Sequence, residues 1–259
     1  MMRSQMENKE YILSLEKGLS ILQCFNPEHT KINISVAAEK CGLTRAAARR
    51  YLFTLEQLGY IEKNDKYYFL TAKVLSLSGA YFSTAILPKI SQPLINALTG
   101  STNLGYSVSL LDEYNVITIA RSTNLNEITK RRPYGMHIGN RLPSHATSAG
   151  KLLLAYEDID TLKQLFLEKN ILKITPYTLC CYEELYACLQ EIKEIGWCYS
   201  AQEHELGIHA LAVPVFDSTN KIVAALNVVS SMNETTKEYL VDRILPNLLD
   251  TAYEIRKFL

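Results

Sequence analysis

Apolar residues recur at helical spacing in short segments near the start of the chain. Residues 15–25 read LEKGLSILQCF, with apolar positions three or four apart behind Ser14, a residue type that often caps a helix. A second, shorter helix is expected over residues 36–41, with Ser35 as its N-cap and Gly42 as its end. The pattern therefore predicts two short amphipathic helices in succession.

A third helix is expected from Thr44, its N-cap, to about residue 58. At 100° per residue its apolar side chains fall on one arc: Ala48, Tyr51, Leu52, Leu55 and Leu58. The opposite arc contains Ala46, Phe53 and three cationic residues, Arg45, Arg49 and Arg50. No acidic residue lies between positions 44 and 55, so these arginines lack the partners of a salt-bridged surface helix. The second and third helices and their tight turn have the spacing of a helix-turn-helix.

The next residues predict a β-hairpin. Two short runs, 60–63 and 66–70, flank the polar pair at positions 64 and 65. A hairpin directly after a helix-turn-helix is the wing of a winged helix-turn-helix, and this one carries Lys63 and Lys66. The first part of the chain is therefore predicted to have that fold.

The predicted fold and its unpaired cations indicate binding to double-stranded DNA. The planar fork of Arg pairs with guanine O6 and N7 and with phosphate. We expect contacts from the starts of the two helices, from the arginine arc and from the wing: Ser35, Thr44, Arg45, Arg49, Arg50, Lys63 and Lys66. The wing lysines are assigned to the DNA backbone.

The remaining pattern predicts a linker and a second domain. Residues 71–84 form a helical pattern suited to a linker and dimerisation helix, which Pro88 is expected to interrupt. We divide the chain into a winged helix-turn-helix domain at 1–70, a linker helix at 71–87 and a C-terminal domain at 88–259.

The C-terminal part alternates strands and helices. Strands are expected at 105–111, 114–122, 197–201, 210–216 and 222–229, and helices at 146–156, 158–169, 182–195 and 234–258. An irregular basic segment lies at 130–133. This order indicates an α+β fold with an antiparallel sheet flanked by helices.

Composition adds a charge asymmetry to this organisation. Of the 259 residues 47% are hydrophobic and 21% charged, as in a globular protein, and the formal net charge is zero. Residues 1–80 contain 11 basic and 8 acidic side chains, a net charge of +3 that the rest of the chain balances. With no apolar leader and no apolar stretch of membrane-spanning length, a cytoplasmic protein without a membrane span is expected.

The candidate chemical groups do not form a recognisable catalytic, metal or cofactor site. The residues considered for a metal lack ligand spacing: His145, His204, His209, Glu203 and Glu205. Residues 144–151, SHATSAGK, lack the first Gly and the final Ser or Thr of a phosphate loop. They instead predict a loop that leads into a helix, whose free N–H groups suit a carboxylate. No cofactor is expected.

Two alternatives to a DNA-binding regulator remain open. One is a cysteine-dependent small-molecule enzyme that uses one of three cysteines, Cys180, Cys181 or Cys198, although no C-x2-C pair occurs. The other is a sensor that acts on a protein partner. The complete winged helix-turn-helix pattern favours the regulator.

Three motifs resemble the IclR family of bacterial regulators. They are LTRAAARRYL at 43–52, RLPSHATSAGK at 141–151 and GIHALAVPVFD at 207–217. The first is similar to the recognition helix of the subgroup that controls β-ketoadipate-pathway genes for protocatechuate and 4-hydroxybenzoate breakdown. The resemblance implies that residues 88–259 form a GAF-like effector-binding domain, that a small organic acid controls the protein, and that homodimers associate into tetramers. Two-fold symmetry then implies a palindromic operator.

The resemblance also implies where an effector would bind. Carried over by position, the family's pocket falls on Ser148, Ala149, Ser200, Ala210, Asn227 and Val229, with Leu142 as an apolar neighbour. Members that bind very small 2-oxo acids have an Asp, a Cys and two Ser where this chain has Ser200, Ala210, Asn227 and Val229. A larger, partly apolar acid is therefore expected.

Overall fold

The computed structural model describes residues 10–26, 28–123, 137–168 and 171–259, with side chains left out at 165–168. The basic segment predicted at 130–133 lies outside the described residues. The chain divides into two compact units, Met1–Thr84 and Ala85–Leu259. Within the described residues, no helix is long and apolar enough to cross a membrane.

The first unit is a winged helix-turn-helix, as the sequence predicts. Its helices are α1 (Leu13–Gln23), α2 (Ile34–Lys40) and α3 (Arg45–Gln57). They pack around one buried cluster that includes Ile21, Ala37, Ala48, Leu52 and Leu55. The apolar arc predicted for α3 is therefore its packed face, except that Leu58 is exposed just beyond the helix end.

Two of the three predicted N-caps are wrong. Helix α1 begins earlier than expected, after Ile12, and has no side-chain cap, so Ser14 lies inside it. Asn33 rather than Ser35 caps α2, because its side-chain oxygen accepts hydrogen bonds from the amides of residues 35 and 36. Thr44 caps α3 as predicted, accepting from the Ala47 amide at 3.2 Å.

The wing consists of β1 (Ile61–Asn64) and β2 (Tyr67–Leu70), paired antiparallel. Asp65 adopts the positive φ, 55°, that the two-residue turn requires. Ile32 forms an isolated bridge to Tyr68, so the extended segment before α2 lies against the wing. Asn64 pairs with Tyr67, so the turn of the wing falls at residues 65 and 66, one position later than predicted.

Helix α4 (Leu75–Thr84) follows a single 3-10 turn, and α5 (Ile86–Thr102) begins after an extended residue, Ala85. Pro88 does not interrupt the linker as predicted. It is the third residue of α5, where the first-turn N–H groups have no intrahelical acceptor and proline costs little. Helix α5 as a whole was not predicted.

The second unit is built on one six-stranded sheet in which every strand pair is antiparallel. Its strands are β3 (Gly105–Asp112), β4 (Asn115–Arg121), β5 (Arg141–Pro143), β6 (Cys198–Ala201), β7 (Ile208–Phe216) and β8 (Ile222–Ser231). Their spatial order is β5-β4-β3-β8-β7-β6. This confirms the α+β prediction, with β5 as an edge strand that was not predicted.

Helices cover both faces of this sheet. They are α6 (Ser148–Ala155), α7 (Ile159–Glu168), α8 (Tyr182–Ile195) and α9 (Leu245–Arg256). One buried cluster joins α5 and α9 to one face, and another joins α6 and α8 to the other. The single helix predicted at 234–258 is broken into a short turn, a π-helical stretch at 240–244 and α9. Pro246, which has no amide hydrogen to donate, lies just after the π-helical stretch.

Candidate functional site

The arginines of α3 lie on its solvent face. Arg45, Arg49 and Arg50 are all exposed, and among the described residues none of them makes an ion pair. Arg45 and Arg49 are four positions apart, so their side chains project from adjacent turns of the same face. This face presents three uncompensated cations to an anionic partner.

The two wing lysines rest on tyrosine rings. The ammonium group of Lys63 lies 6.0 Å from the ring centroid of Tyr68, and that of Lys66 lies 5.5 Å from the ring of Tyr67. The ammonium group of Lys31, a residue that the sequence interpretation missed, lies 4.7 Å from the centroid of the same Tyr67 ring. The sequence alone does not mark it, because the bridge from Ile32 that brings it to the wing forms only in the folded chain. Three lysines therefore lie over the tyrosine rings of the wing.

The two hydroxyl residues assigned to the helix starts have different surroundings. The Thr44 hydroxyl accepts the capping hydrogen bond from Ala47, so it fixes the start of α3. Ser35 is exposed at the second position of α2, and its backbone amide donates to the Asn33 side chain at 2.9 Å.

A cavity of about 720 Å³, including its solvent-filled mouth, lies in the second unit. Its floor is one face of the sheet, and the loop into α6 and the segment after β6 complete its wall. The structure brings all seven residues of the expected effector set to this cavity: Leu142, Ser148, Ala149, Ser200, Ala210, Asn227 and Val229. They come from five different elements.

Several polar residues of the cavity floor were missed by the sequence interpretation. Ser107 and Ser109 of β3 are buried and face the cavity, with Val108 between them in the opposite core. This alternation of Ser and apolar residues was a readable signal. Arg121, the last residue of β4, donates from Nη1 to the Ser107 hydroxyl at 3.3 Å and brings a cation to the cavity.

The N-terminus of α6 forms part of the cavity wall, through Ser148 and Ala149. Thr147 caps the helix by accepting from the Gly150 amide at 3.1 Å. In the part of the chain that the structure describes, the amides of Ser148 and Ala149 have no acceptor. Two free N–H groups at the positive end of a helix dipole suit a carboxylate.

A buried ion pair lies at the β6 side of the same cavity. Lys151 of α6 contacts Glu203, and the Ser200 hydroxyl donates to the same carboxylate oxygen, Oε1, at 2.7 Å. Burial opposes the charge of Lys151, but the Coulombic effects of Cys198 and Glu203 outweigh it and raise the pKa of the lysine. Glu203 Oε2 and Asn227 Oδ1 are buried and have no partner among the described residues.

Three histidines lie around this region: His145 and His209 are buried, and His204 is half-buried. Burial lowers the pKa of His145, His204 and His209. His209 lies between the Tyr199 hydroxyl at 3.0 Å and the Thr235 hydroxyl at 2.7 Å. Among the described residues, no group of three or more His, Cys, Asp or Glu side chains could hold a metal ion.

The cysteines considered for catalysis lie outside the residues that line the cavity. Cys198 is fully buried, and burial raises the pKa of its thiol to about 12. A nucleophilic cysteine needs the opposite shift, because the thiolate is the reactive form. The geometry therefore gives no support to an enzyme built on Cys198.

Two family profiles match the chain and together cover most of it. The profile described as the IclR helix-turn-helix domain matches residues 14–65, and the one described as the bacterial transcriptional regulator IclR C-terminal domain matches residues 79–257. The first match lies within the first structural unit, and the second begins inside α4 and extends over nearly all of the second unit.

Similar proteins are regulators of aromatic catabolism. The chain is 51% identical to the Pca operon regulatory protein of Acinetobacter baylyi, over 97% of this chain and 91% of that protein. It is 40% identical to the p-hydroxybenzoate hydroxylase transcriptional activator of the same organism, over 97% and 93%. A solved structure of the inducer-binding domain of the Acinetobacter PobR transcription factor, a double mutant in complex with 3-hydroxybenzoic acid, is 39% identical, with a TM-score of 0.65 over 68% of this chain and 100% of that one. None of these relatives is described as an enzyme or as a sensor of a protein partner.

Proposed function

The chain belongs to the IclR family of bacterial transcriptional regulators, and we propose that it is a regulator whose second unit binds an aromatic hydroxy acid. The observation that carries the proposal is the cavity, where an apolar wall adjoins donors for a carboxylate and buried acceptors for hydroxyl groups. Such a mixture suits a planar ring with polar substituents better than a very small 2-oxo acid.

The proposed DNA contacts follow the exposed cations of the first unit. Arg45, Arg49 and Arg50 enter the major groove on α3, while Lys63 and Lys66 contact phosphates from the wing. Ser35 and Thr44 lie at the starts of α2 and α3, where these helices approach the backbone. A regulator of this kind acts in the cytoplasm, where bacterial DNA is located.

We propose that the chain acts as a homodimer or tetramer on a palindromic operator. Helix α4 contains no buried residue, and Leu75 and Leu77 are 68% and 51% exposed. Burial of such side chains against a second copy removes apolar surface from water. Two α3 helices related by a two-fold axis then contact two half-sites of opposite orientation.

In the proposed complex, the acid's carboxylate is held by Arg121 and the free amides at the start of α6. Leu142, Ala149, Ala210 and Val229 contact the ring, and Ser200 and Asn227 provide polar contacts. The relatives' printed names support the aromatic class: one activates a p-hydroxybenzoate hydroxylase gene, and the PobR domain is described with 3-hydroxybenzoic acid.

Two experiments test the two halves of this function. In the first, the purified chain selects duplexes from a random DNA pool, and we expect enrichment of one two-fold symmetric sequence. In the second, thermal unfolding is followed with benzoate, 4-hydroxybenzoate, 3,4-dihydroxybenzoate and succinate. We expect a hydroxybenzoate to raise the melting temperature and succinate to leave it unchanged. If none of the aromatic acids raises the melting temperature, the effector proposal is overturned.

A further inference from the structure

Glu203 uses only one of its two carboxylate oxygens. Oε1 accepts from the Ser200 hydroxyl at 2.7 Å and contacts Lys151, whereas Oε2 is buried without a partner among the described residues. A buried charged oxygen without a donor is costly, and native structures leave few of them. Because Glu203 lines the cavity, a bound molecule can supply the missing donor.

The position of Glu203 relative to Arg121 defines which end of a ligand it meets. The Arg121 guanidinium bonds Ser107 on β3, and the Glu203 carboxylate bonds Ser200 on β6. In the order β3-β8-β7-β6 these strands are three spacings apart, roughly 14 Å at about 4.8 Å each. The cation and the unpartnered acceptor therefore belong to opposite sides of the cavity floor.

We propose that Glu203 Oε2 accepts a hydrogen bond from the effector's ring hydroxyl opposite its carboxylate, so that Glu203 selects para-hydroxylated acids. This inference rests on the proposed function, because it requires an aromatic carboxylic acid in the cavity. Lys151 and Ser200 act as positioning residues, since their bonds to Oε1 hold the carboxylate in place and leave Oε2 for the ligand.

The chemistry of the two groups matches. A phenolic hydroxyl has a pKa of about 10 and keeps its proton at neutral pH, so it donates to a carboxylate. Hydrogen bonds of a hydroxyl to an ionised oxygen are among the strong ones in proteins. An acid without the hydroxyl leaves Oε2 unsatisfied in the complex, and a methoxy group has no proton to donate.

The first test uses the native chain and isothermal titration with three probes: benzoate, 4-hydroxybenzoate and 4-methoxybenzoate. We expect 4-hydroxybenzoate to bind about 10- to 100-fold more tightly than benzoate, the range for a hydrogen bond to a charged group. We expect 4-methoxybenzoate to bind no more tightly than benzoate. Equal affinity for all three acids overturns the inference while leaving the proposed function intact.

The second test removes the acceptor without leaving a buried charge behind. The double variant Lys151→Met, Glu203→Leu should lose the preference, so that 4-hydroxybenzoate and benzoate bind to it with Kd values that differ less than about threefold. The matched control is Lys257→Met, Glu254→Leu, which removes an exposed ion pair from α9 and its end. The control should keep the native preference.

The outcomes separate the inference from the proposed function. A preference for the hydroxyl that survives in the double variant overturns the role of Glu203, whereas absence of binding by every acid to the native chain overturns the proposed function too. If the double variant fails to unfold cooperatively, Glu203→Gln replaces it, because an amide oxygen still accepts from Ser200 and Lys151. In the Gln variant the preference for 4-hydroxybenzoate over benzoate should fall at least about threefold. An unchanged preference overturns the inference.

Discussion

Lys151 and Glu203 form an ion pair between residues 52 positions apart, and their side chains are only 3% and 9% exposed. The pair joins α6 to the segment after β6, next to the cavity. Each charge is stable in this position only because the other is present, since desolvation of a lone charge costs several kcal/mol.

Breaking this pair on one side should be strongly destabilising. We expect Lys151→Met to lower the free energy of unfolding by about 3–5 kcal/mol, because it leaves an uncompensated carboxylate in the interior. The double variant Lys151→Met, Glu203→Leu should regain most of that loss. Urea unfolding followed by circular dichroism measures both, and a single variant as stable as the native chain contradicts this account.

Gly150 should not tolerate a side chain. A Cβ at this position would lie 2.2 Å from the carbonyl oxygen of Ser144, so backbone must shift. We expect Gly150→Ala to destabilise the chain by more than ~1–3 kcal/mol, the usual cost of overpacking. The matched control is Gly100→Ala in α5, where no atom lies within 4 Å of the added Cβ. That change should stabilise by about 0.5–1 kcal/mol, and similar melting temperatures for the two variants would refute the steric argument.

Removal of one recognition-helix arginine should weaken DNA binding. We expect Arg49→Ala to lower affinity for the selected duplex and to reduce the slope of log Kd against log salt by about one, because one cation no longer displaces a counterion. The control is Arg243→Ala, which removes an equal charge from an exposed position in the second unit. Fluorescence anisotropy at several salt concentrations distinguishes the two, and equal slopes argue against a phosphate or base contact.

Stability should fall as the pH drops from 7.5 to 5.5. Burial lowers the pKa of His145, His204 and His209 in the folded chain, so the unfolded chain binds more protons just below pH 6.5. The free energy of unfolding therefore rises with pH through this window, and the contribution of these histidines is complete above it. We expect His209→Gln to make the urea midpoint less dependent on pH, and an unchanged dependence contradicts the assignment to His209.

The elements that the sequence predicts well are those whose signals are local. Helix α3 is bounded by Thr44 and Gly59, and both residues adopt the geometry that their types favour. The cap of α2 was misplaced because Asn33 and Ser35 are both good N-cap residues, and the choice depends on where the backbone turns. Helix α5 escaped prediction because Pro88 and Pro93 suggest a break, although its buried residues hold the helix on the sheet.

The residues of the candidate site are harder to predict from the sequence than the fold is. The seven cavity residues came from the family resemblance, since no local pattern marks Ala210 or Val229 as different from other strand residues. Ser107 and Ser109 were marked by alternation, but a polar strand face is equally typical of a solvated sheet. The sequence offered Glu203 only as a metal ligand, and its ion pair could not be predicted because Lys151 is distant in the sequence and only the folded chain brings the two together.

We propose the cavity of the second unit as the effector site of a DNA-binding regulator. The most direct test is isothermal titration of 3,4-dihydroxybenzoate into the native chain and into Ala210→Phe, which fills the cavity from the β7 floor. We predict saturable one-site binding to the native chain and at least a tenfold loss in the variant, with unchanged affinity for the selected DNA duplex. Equal binding of the acid to both proteins would contradict the account.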